Sequence, residues 1–229
     1  VKEIVSSLDK DGIWHFEQSY MPKMLEMNAY DTICHEHLEF YSLSVIVELL
    51  REFNLDIIDV EINEINGGSF AVTACHKDSK IYERNTAKIN LLLKKENDLQ
   101  IGSLDSYISF RNQIIKHKND LLSLLRSLKE EGKTVIGYGA STKGNVLLQY
   151  CGITKNEIAF ISEVNSDKFN CVTPGSNIPI ISEREARELN PDYFLVLPWH
   201  FKSNILLREK DFISKGGKFI FPLPEIEIV

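Results

Sequence analysis

From residue 133 onward, strand-like apolar runs alternate with helix-like amphipathic stretches. The runs are Thr134 to Tyr138, Ile158 to Ser162, Tyr193 to Leu197 and Lys218 to Phe221. This alternation constrains the fold more than any other feature. A strand followed by a helix and another strand needs a crossover, and the crossover returns the chain parallel to where it began. The spacing therefore predicts a parallel, doubly wound α/β sheet over 132–229. A loop over Gly139 to Gly144 precedes a helix that opens at Asn145. Ile178-Pro179-Ile180 reads as an extended connection, and Ser182 caps a helix over 183–189. One helix is expected over 205–215, with Gly216-Gly217 as the turn into the last strand.

The first half reads differently. Ile4, Val5 and Leu8 share one face of a short helix, Gly12 breaks it, and Ile13 to Phe16 form a strand. Ser42 or Ser44 caps a helix that carries Val45, Ile46, Leu49 and Leu50. Leu55 to Ile62 and Ser69 to Cys75 are strand-like and flank Gly67-Gly68, which predicts an antiparallel hairpin at a sheet edge. Residues 80–100 are polar and helical. Asp105 to Glu131 has apolar residues at helical spacing, from Ile108 through Leu121 to Leu128, and Gly132 ends it. The expected organisation is an α/β half domain over 1–78, a helical connector over 79–131 and a Rossmann-like domain over 132–229.

Charge and cysteine usage exclude several classes. The 229 residues carry 26 basic and 33 acidic side chains, a net charge of −7. Nucleic-acid binding would need a clustered basic face. No apolar run reaches the length of a membrane span. Cys34, Cys75, Cys151 and Cys171 form no C-x-x-C pair, so a zinc site of the usual spacing is absent and a reducing cytoplasm is expected. The chain starts at Val1 in mid-pattern, as a piece of a longer protein would.

Three constellations carry chemistry. His35-Glu36-His37 follows Cys34 and precedes Tyr41. A histidine titrates near neutral pH and a neighbouring carboxylate can orient it. On a strand, His35 and His37 would share a face, which leaves open a metal reading beside a plain surface loop. The second is Gly137-Tyr138-Gly139-Ala140-Ser141-Thr142-Lys143-Gly144-Asn145, where a strand passes into a helix. It departs from the dinucleotide fingerprint at Thr142 and from a Walker loop around Lys143. Gly139 still allows close backbone approach, and for a phosphate Lys143 supplies charge and Ser141 and Thr142 supply hydroxyls. Glu163, 19 residues after Gly144, stands where such folds hold a ribose. A tight structural turn is the alternative. The third is Pro198-Trp199-His200-Phe201 at a strand's carboxyl end, where Trp199 either stacks on a ligand or packs the sheet edge.

Taken together, these segments resemble the sugar C-methyltransferases that modify nucleotide-linked deoxysugars. The resemblance rests on Tyr30-Asp31-Thr32-Ile33-Cys34-His35-Glu36-His37-Leu38, Tyr41-Ser42-Leu43, Gly67-Gly68-Ser69, Gly137-Tyr138-Gly139-Ala140 and Lys143-Gly144-Asn145. It continues through Thr173-Pro174-Gly175, Ile178-Pro179-Ile180 and Leu197-Pro198-Trp199. It implies that residues 1–78 are the second half of an S-adenosylmethionine (SAM) domain. The SAM-gripping loop and the family's zinc-binding module would then lie outside this chain, and the chain alone would not turn over. The implied substrate is a 4-keto deoxysugar linked to thymidine diphosphate (dTDP). The likeness makes His37 the base, with Glu36 orienting it and His35 and Tyr41 shaping the pocket or steadying the enolate oxygen. Tyr138, Gly139, Lys143, Asn145, Glu163, Trp199 and His200 would meet the nucleotide sugar. The family often carries Tyr in place of Cys34 and Asn in place of His200. No metal, membrane or nucleic-acid partner is implied. Exposed edges of a half domain would favour association between copies. A non-catalytic nucleotide-sugar binding module and an NAD-dependent oxidoreductase or epimerase are the alternatives.

Overall fold

The computed structural model describes residues 1–63 and 67–229. The chain forms two units, one from residues 1–27 and 39–110, the other from residues 28–38 and 111–229. These divisions differ from the expected ones at 78 and 131. The polar stretch before residue 100 packs into the first unit, and a short segment of the N-terminal half joins the second.

Unit 1 contains α1 (Lys2–Ser7), β1 (Ile13–Ser19), α2 (Met21–Glu26), α3 (Leu43–Glu52), β2 (Leu55–Asn63), β3 (Ser69–His76) and α4 (Thr86–Asp98). Helix α5 (Leu104–Glu130) starts here, and the division falls within it after Phe110. The sheet has the order β1-β3-β2, and β3 is antiparallel to both neighbours. The expected hairpin of β2 and β3 is present; the turn between them falls partly outside the described residues. β3 inserts between β1 and β2, so these two run parallel to each other. Its central place explains its composition: Phe70, Val72 and Ala74 are fully buried, as a strand covered on both edges should be.

Helix α3 lays Leu43, Ile46 and Leu50 on this sheet, one apolar stripe at i, i+3 and i+7. Two groups satisfy its N-terminus. Ser42 Oγ accepts from the Val45 amide at 3.3 Å. The Glu96 carboxylate of α4 accepts from the amides of Leu43 (2.6 Å) and Ser44 (2.9 Å) and from the Tyr20 hydroxyl (2.8 Å). Glu96 is buried at 1% exposure, so these three bonds replace all of its water. Gly68 has φ +127°, and a Cβ there would stand 2.3 Å from Lys23 Cγ. Any other residue would be both strained and crowded.

Unit 2 contains β4 (Val135–Tyr138), α6 (Thr142–Cys151), β5 (Ile161–Glu163), β6 (Ile180–Ser182), α7 (Glu183–Glu188), β7 (Tyr193–Val196), α8 (Lys202–Arg208), α9 (Lys210–Ser214), β8 (Lys218–Phe221) and β9 (Glu227–Ile228). The sheet order is β6-β5-β4-β7-β8-β9, with the first five strands parallel and β9 antiparallel. This is a Rossmann-like α/β fold. The strand order reverses between β4 and β7, which opens a crevice at their carboxyl ends.

Four details depart from the sequence reading. Helix α6 starts at Thr142 rather than Asn145, because Ser141 caps it through the Gly144 amide at 3.0 Å. Ile180 belongs to a paired strand rather than to a mere connection. The helix expected over 205–215 starts at Lys202 and is split around Glu209 into α8 and α9. β9 is two residues long, too short to leave a pattern. Ser182 caps α7 as expected, in a reciprocal box with Glu185.

The segment 28–38 is anchored in unit 2 by a hydrogen-bonded chain. His117 Nε2 lies 2.5 Å from the Pro222 carbonyl, so it carries the proton. Nδ1 then accepts from the Tyr30 hydroxyl at 3.0 Å, and the Cys151 thiol donates to the same hydroxyl oxygen at 3.3 Å. Burial holds His117 below its ordinary pKa, which keeps this neutral tautomer.

Removing the carboxylate in Glu96→Ala leaves two helix amides and a buried hydroxyl without an acceptor. Unit 1 should lose about 3 kcal/mol, read by urea unfolding and by faster hydrogen exchange of the α3 amides. Gly68→Ala should cost about 2 kcal/mol in the same assay, while the exposed Gly102→Ala, with open space around it, should cost nothing comparable.

Candidate functional site

The loop after β4 is built by packing. Gly139 has φ +81°, and a Cβ there would lie 2.9 Å from Pro198 Cδ; at Gly144 it would lie 2.6 Å from Leu197 Cβ. Both glycines let this loop close against the loop after β7. The loop amides are also engaged. Glu163 Oε2 accepts from Ala140 at 2.8 Å, and Oε1 accepts from Val164 at 2.8 Å and Asn165 at 3.0 Å. Lys168 Nζ stands 3.5 Å from the same carboxylate and donates to the Ala140 carbonyl at 2.8 Å. Burial pushes the Glu163 pKa up, but the three amides and Lys168 outweigh it and hold the carboxyl below its ordinary range. The carboxylate expected at a ribose instead fills the concavity of its own loop.

Tyr138 also faces inward. Its ring meets Phe194 and Phe219 edge-on, and its hydroxyl donates to Glu209 at 2.9 Å. It belongs to the sheet core, with Glu209 paired in turn to Arg187 at 2.5 Å. Trp199 is buried, and its indole N–H donates to Asp31 Oδ2 at 2.7 Å. The stacking role is therefore not what holds Trp199 in place; a carboxylate from the segment 28–38 does.

Asp31 is 1% exposed. Burial raises its pKa, against the Trp199 hydrogen bond and the positive field of Lys143 and His37. Lys143 is half-buried; burial lowers its pKa, while Asp31 and Cys34 push it back up. His200 stands next to Trp199, rings edge-on at 5.9 Å. Burial, with the charge of Lys143 added, pushes His200 down to about 4. Asp31, Lys143, Trp199 and His200 thus form one polar knot at the crevice between β4 and β7.

His35-Glu36-His37 lies on a turn closed by the His37 amide donating to the Cys34 carbonyl at 3.0 Å. The segment is not a strand, so no strand face is shared by His35 and His37. His35 and Glu36 are exposed; His37 is half-buried with its Nδ1 out of solvent. Cys34 and His35 line an open cleft of about 580 Å³ together with Ile33, Thr142, Asn145 and Tyr150. Helix α6 therefore presents Thr142 and Asn145 to the space that the histidine turn borders. Tyr41 belongs to unit 1, where its hydroxyl donates to Glu39. Among the described residues no group of His, Cys, Asp or Glu is placed to hold a metal ion, and no helix is long and apolar enough to cross a membrane.

Of the residues singled out from sequence, the structure gathers His35, Asn145, Lys143, Trp199 and His200 near the turn that carries His37. It withdraws Tyr138 into the core and spends Glu163 on the loop. Asp31 was missed. The sequence offered only its place inside the Tyr-Asp-Thr motif, with no pattern to mark it as buried.

The depressed pKa of His200 links stability to pH. Folded, His200 releases its proton near pH 4; unfolded, near 6.5. The unfolded chain binds more protons between these values, so His200 costs the fold stability as pH falls from about 6.5 towards 4. His200→Gln should show a shallower loss than the parent chain between pH 6.5 and 4.5. Thermal melts across that window, with the His200 ring titrated by NMR, check both halves.

A family model described as the C-methyltransferase C-terminal domain matches residues 64–224. The C-methyltransferase NovU of Streptomyces niveus is 35% identical over 222 residues, which is 97% of this chain and 52% of that protein. The chain thus spans about half the length of this curated relative. A match that runs from β3 through the five parallel strands of the Rossmann-like sheet, joined to a relative aligned across both units, places the chain in one group: it belongs to the C-methyltransferase C-terminal domain family.

Proposed function

We propose that this chain is the substrate-holding and base-supplying part of a SAM-dependent C-methyltransferase acting on a dTDP-linked 4-keto deoxysugar. The observation that carries the reading is the placement of the histidine turn. Residues 28–38 fold with unit 2, and Cys34 and His35 border the same cleft as Thr142 and Asn145 of α6. A base and a nucleotide-binding helix end serve one ligand only if they face one space. The NAD-dependent alternative loses its support at Glu163, whose oxygens are engaged by Ala140, Val164 and Asn165.

The chemistry follows from the substrate. A C–H bond beside a ketone is acidic because the carbanion delocalises onto oxygen. His37, half-buried and close to Asp31, takes that proton at one ring nitrogen. Asp31 steadies the imidazolium that results, since a carboxylate in a low-dielectric site favours a nearby cation. Glu36, on the same turn, orients the ring, and His35 steadies the enolate oxygen. Lys143 and the N-terminus of α6, with Asn145, meet the diphosphate. SAM supplies the methyl group that the enolate carbon receives. The described residues of unit 1 give SAM no cradle of the usual kind. Their sheet is antiparallel, without a strand–glycine loop–helix crossover.

Calorimetric titration of dTDP into the chain tests the reading, with NAD as control. Saturable dTDP binding is expected, together with silence towards NAD. Lys143→Ala should weaken dTDP by about tenfold or more, the worth of one charge-assisted contact. Binding that survives Lys143→Ala unchanged would move the nucleotide elsewhere, and a response to NAD would revive the oxidoreductase reading.

A further inference from the structure

Among the described residues four carboxylates are more than nine-tenths buried, and three of them are saturated. Glu96 accepts from two amides and a hydroxyl, Glu163 from three amides, and Glu209 from Tyr138 and Arg187. Asp31 is different. Oδ2 is taken by Trp199, while Oδ1 is buried and, apart from the residue's own backbone amide acting on the carboxyl group, has no donor at hydrogen-bond geometry among the described residues. His200 Nδ1 and Asn28 Oδ1 share that condition. A buried carboxylate oxygen without a donor is costly, and folds do not keep one without a use.

We propose that Asp31 Oδ1, with His200 and Lys143, is a subsite that reads a hydroxyl group of a bound sugar. The inference rests on the sugar-nucleotide reading for the class of ligand, and on the half-satisfied Asp31 for the contact. Charge balance selects the group. Lys143 already offsets Asp31, as the opposed effects of each on the other's proton affinity show. A cationic ligand group would bury a third charge, whereas a neutral donor adds none. A hydroxyl gives its proton to Asp31 Oδ1 and leaves its oxygen for Lys143 or His200. Neutral His200, which loses its charge near pH 4, is free to donate or accept at Nδ1 without adding to the field. The site lies at the carboxyl ends of β4 and β7, where the strand order reverses and open α/β sheets hold their ligands. It also explains why Trp199 is tied down: its indole fixes one carboxylate oxygen so that the other keeps a single direction.

The chain has two tryptophans, Trp14 in unit 1 and Trp199 in unit 2, so its proton NMR spectrum has two indole N–H signals. Trp199 reports directly on Asp31, and Trp14 serves as internal control. Methyl β-glucoside, dTDP-glucose and dTDP are titrated in turn. Both sugar-bearing probes should move the Trp199 signal and leave Trp14 still, and dTDP-glucose should bind at least about tenfold tighter than dTDP. Asp31→Asn keeps a carbonyl for Trp199 but loses the anionic acceptor; it should abolish the tenfold gain of dTDP-glucose over dTDP, both titrated into the same variant. His200→Gln should reduce the gain in part, and it stands in if Asp31→Asn does not fold. A Trp199 signal that ignores both sugars would mean an ordered water only and would overturn the proposal. So would a sugar gain undiminished in both variants. If dTDP does not bind, the nucleotide reading fails, while the glucoside arm still decides whether Asp31 meets a hydroxyl.

Discussion

A carboxylate removed from water must be given donors inside the protein, and of the four buried ones among the described residues three have a full set. Glu96 terminates α3 from a neighbouring helix, joining the amides of Leu43 and Ser44 to the hydroxyl of Tyr20. Without it, the helix that covers the β1-β3-β2 sheet would start on bare amides. Glu163 does the same for the β4–α6 loop, and Glu209 gathers Tyr138 and Arg187 where α8 gives way to α9. Glu96 and Glu209 are far in sequence from what they hold, while Glu163 joins its own neighbours Val164 and Asn165 to the distant Ala140. Asp31 obeys the rule only halfway, with Trp199 on one oxygen and the other short of a donor.

The same rule explains which parts of the fold could be read from sequence. Element type was legible wherever burial imposes a period. The parallel strands of unit 2, the stripe on α3 and the β2–β3 hairpin all follow from apolar spacing. Boundaries set by a short-range side-chain bond were half legible: Ser182 was recognised as a cap, but Ser141, which starts α6 three residues early, was not. What could not be read depends on distant pairing. β9 is held by two residue pairs with β8, and the fate of Glu163 turns on amides at 140, 164 and 165. No periodicity records such contacts.

The candidate site divides along the same line. His35, Lys143, Asn145, Trp199 and His200 were visible because their residue types are chemically conspicuous and sit at predictable loop ends. Tyr138 and Glu163 were conspicuous for the same reason, and the structure uses them for packing and loop closure. Residue type at a strand end states what a side chain can do. Whether it is left free to do it is decided by the neighbours that compete for it.

That competition gives the Rossmann-like unit its particular character. In a fold of this topology the turn after the first strand ordinarily offers its amides to a ligand's phosphates. Here Ala140 already donates to Glu163, and the negative charge sits in the loop itself. A phosphate approaching that concavity would find its N–H groups already taken by Glu163, whose charge Lys168 balances. The surface left open to a ligand is the adjoining face of α6, where Thr142 and Asn145 border the cleft shared with Cys34 and His35. A single glutamate therefore takes up the amides that such a turn would otherwise present, and the open space beside it is bordered by the segment 28–38, which carries the histidine turn.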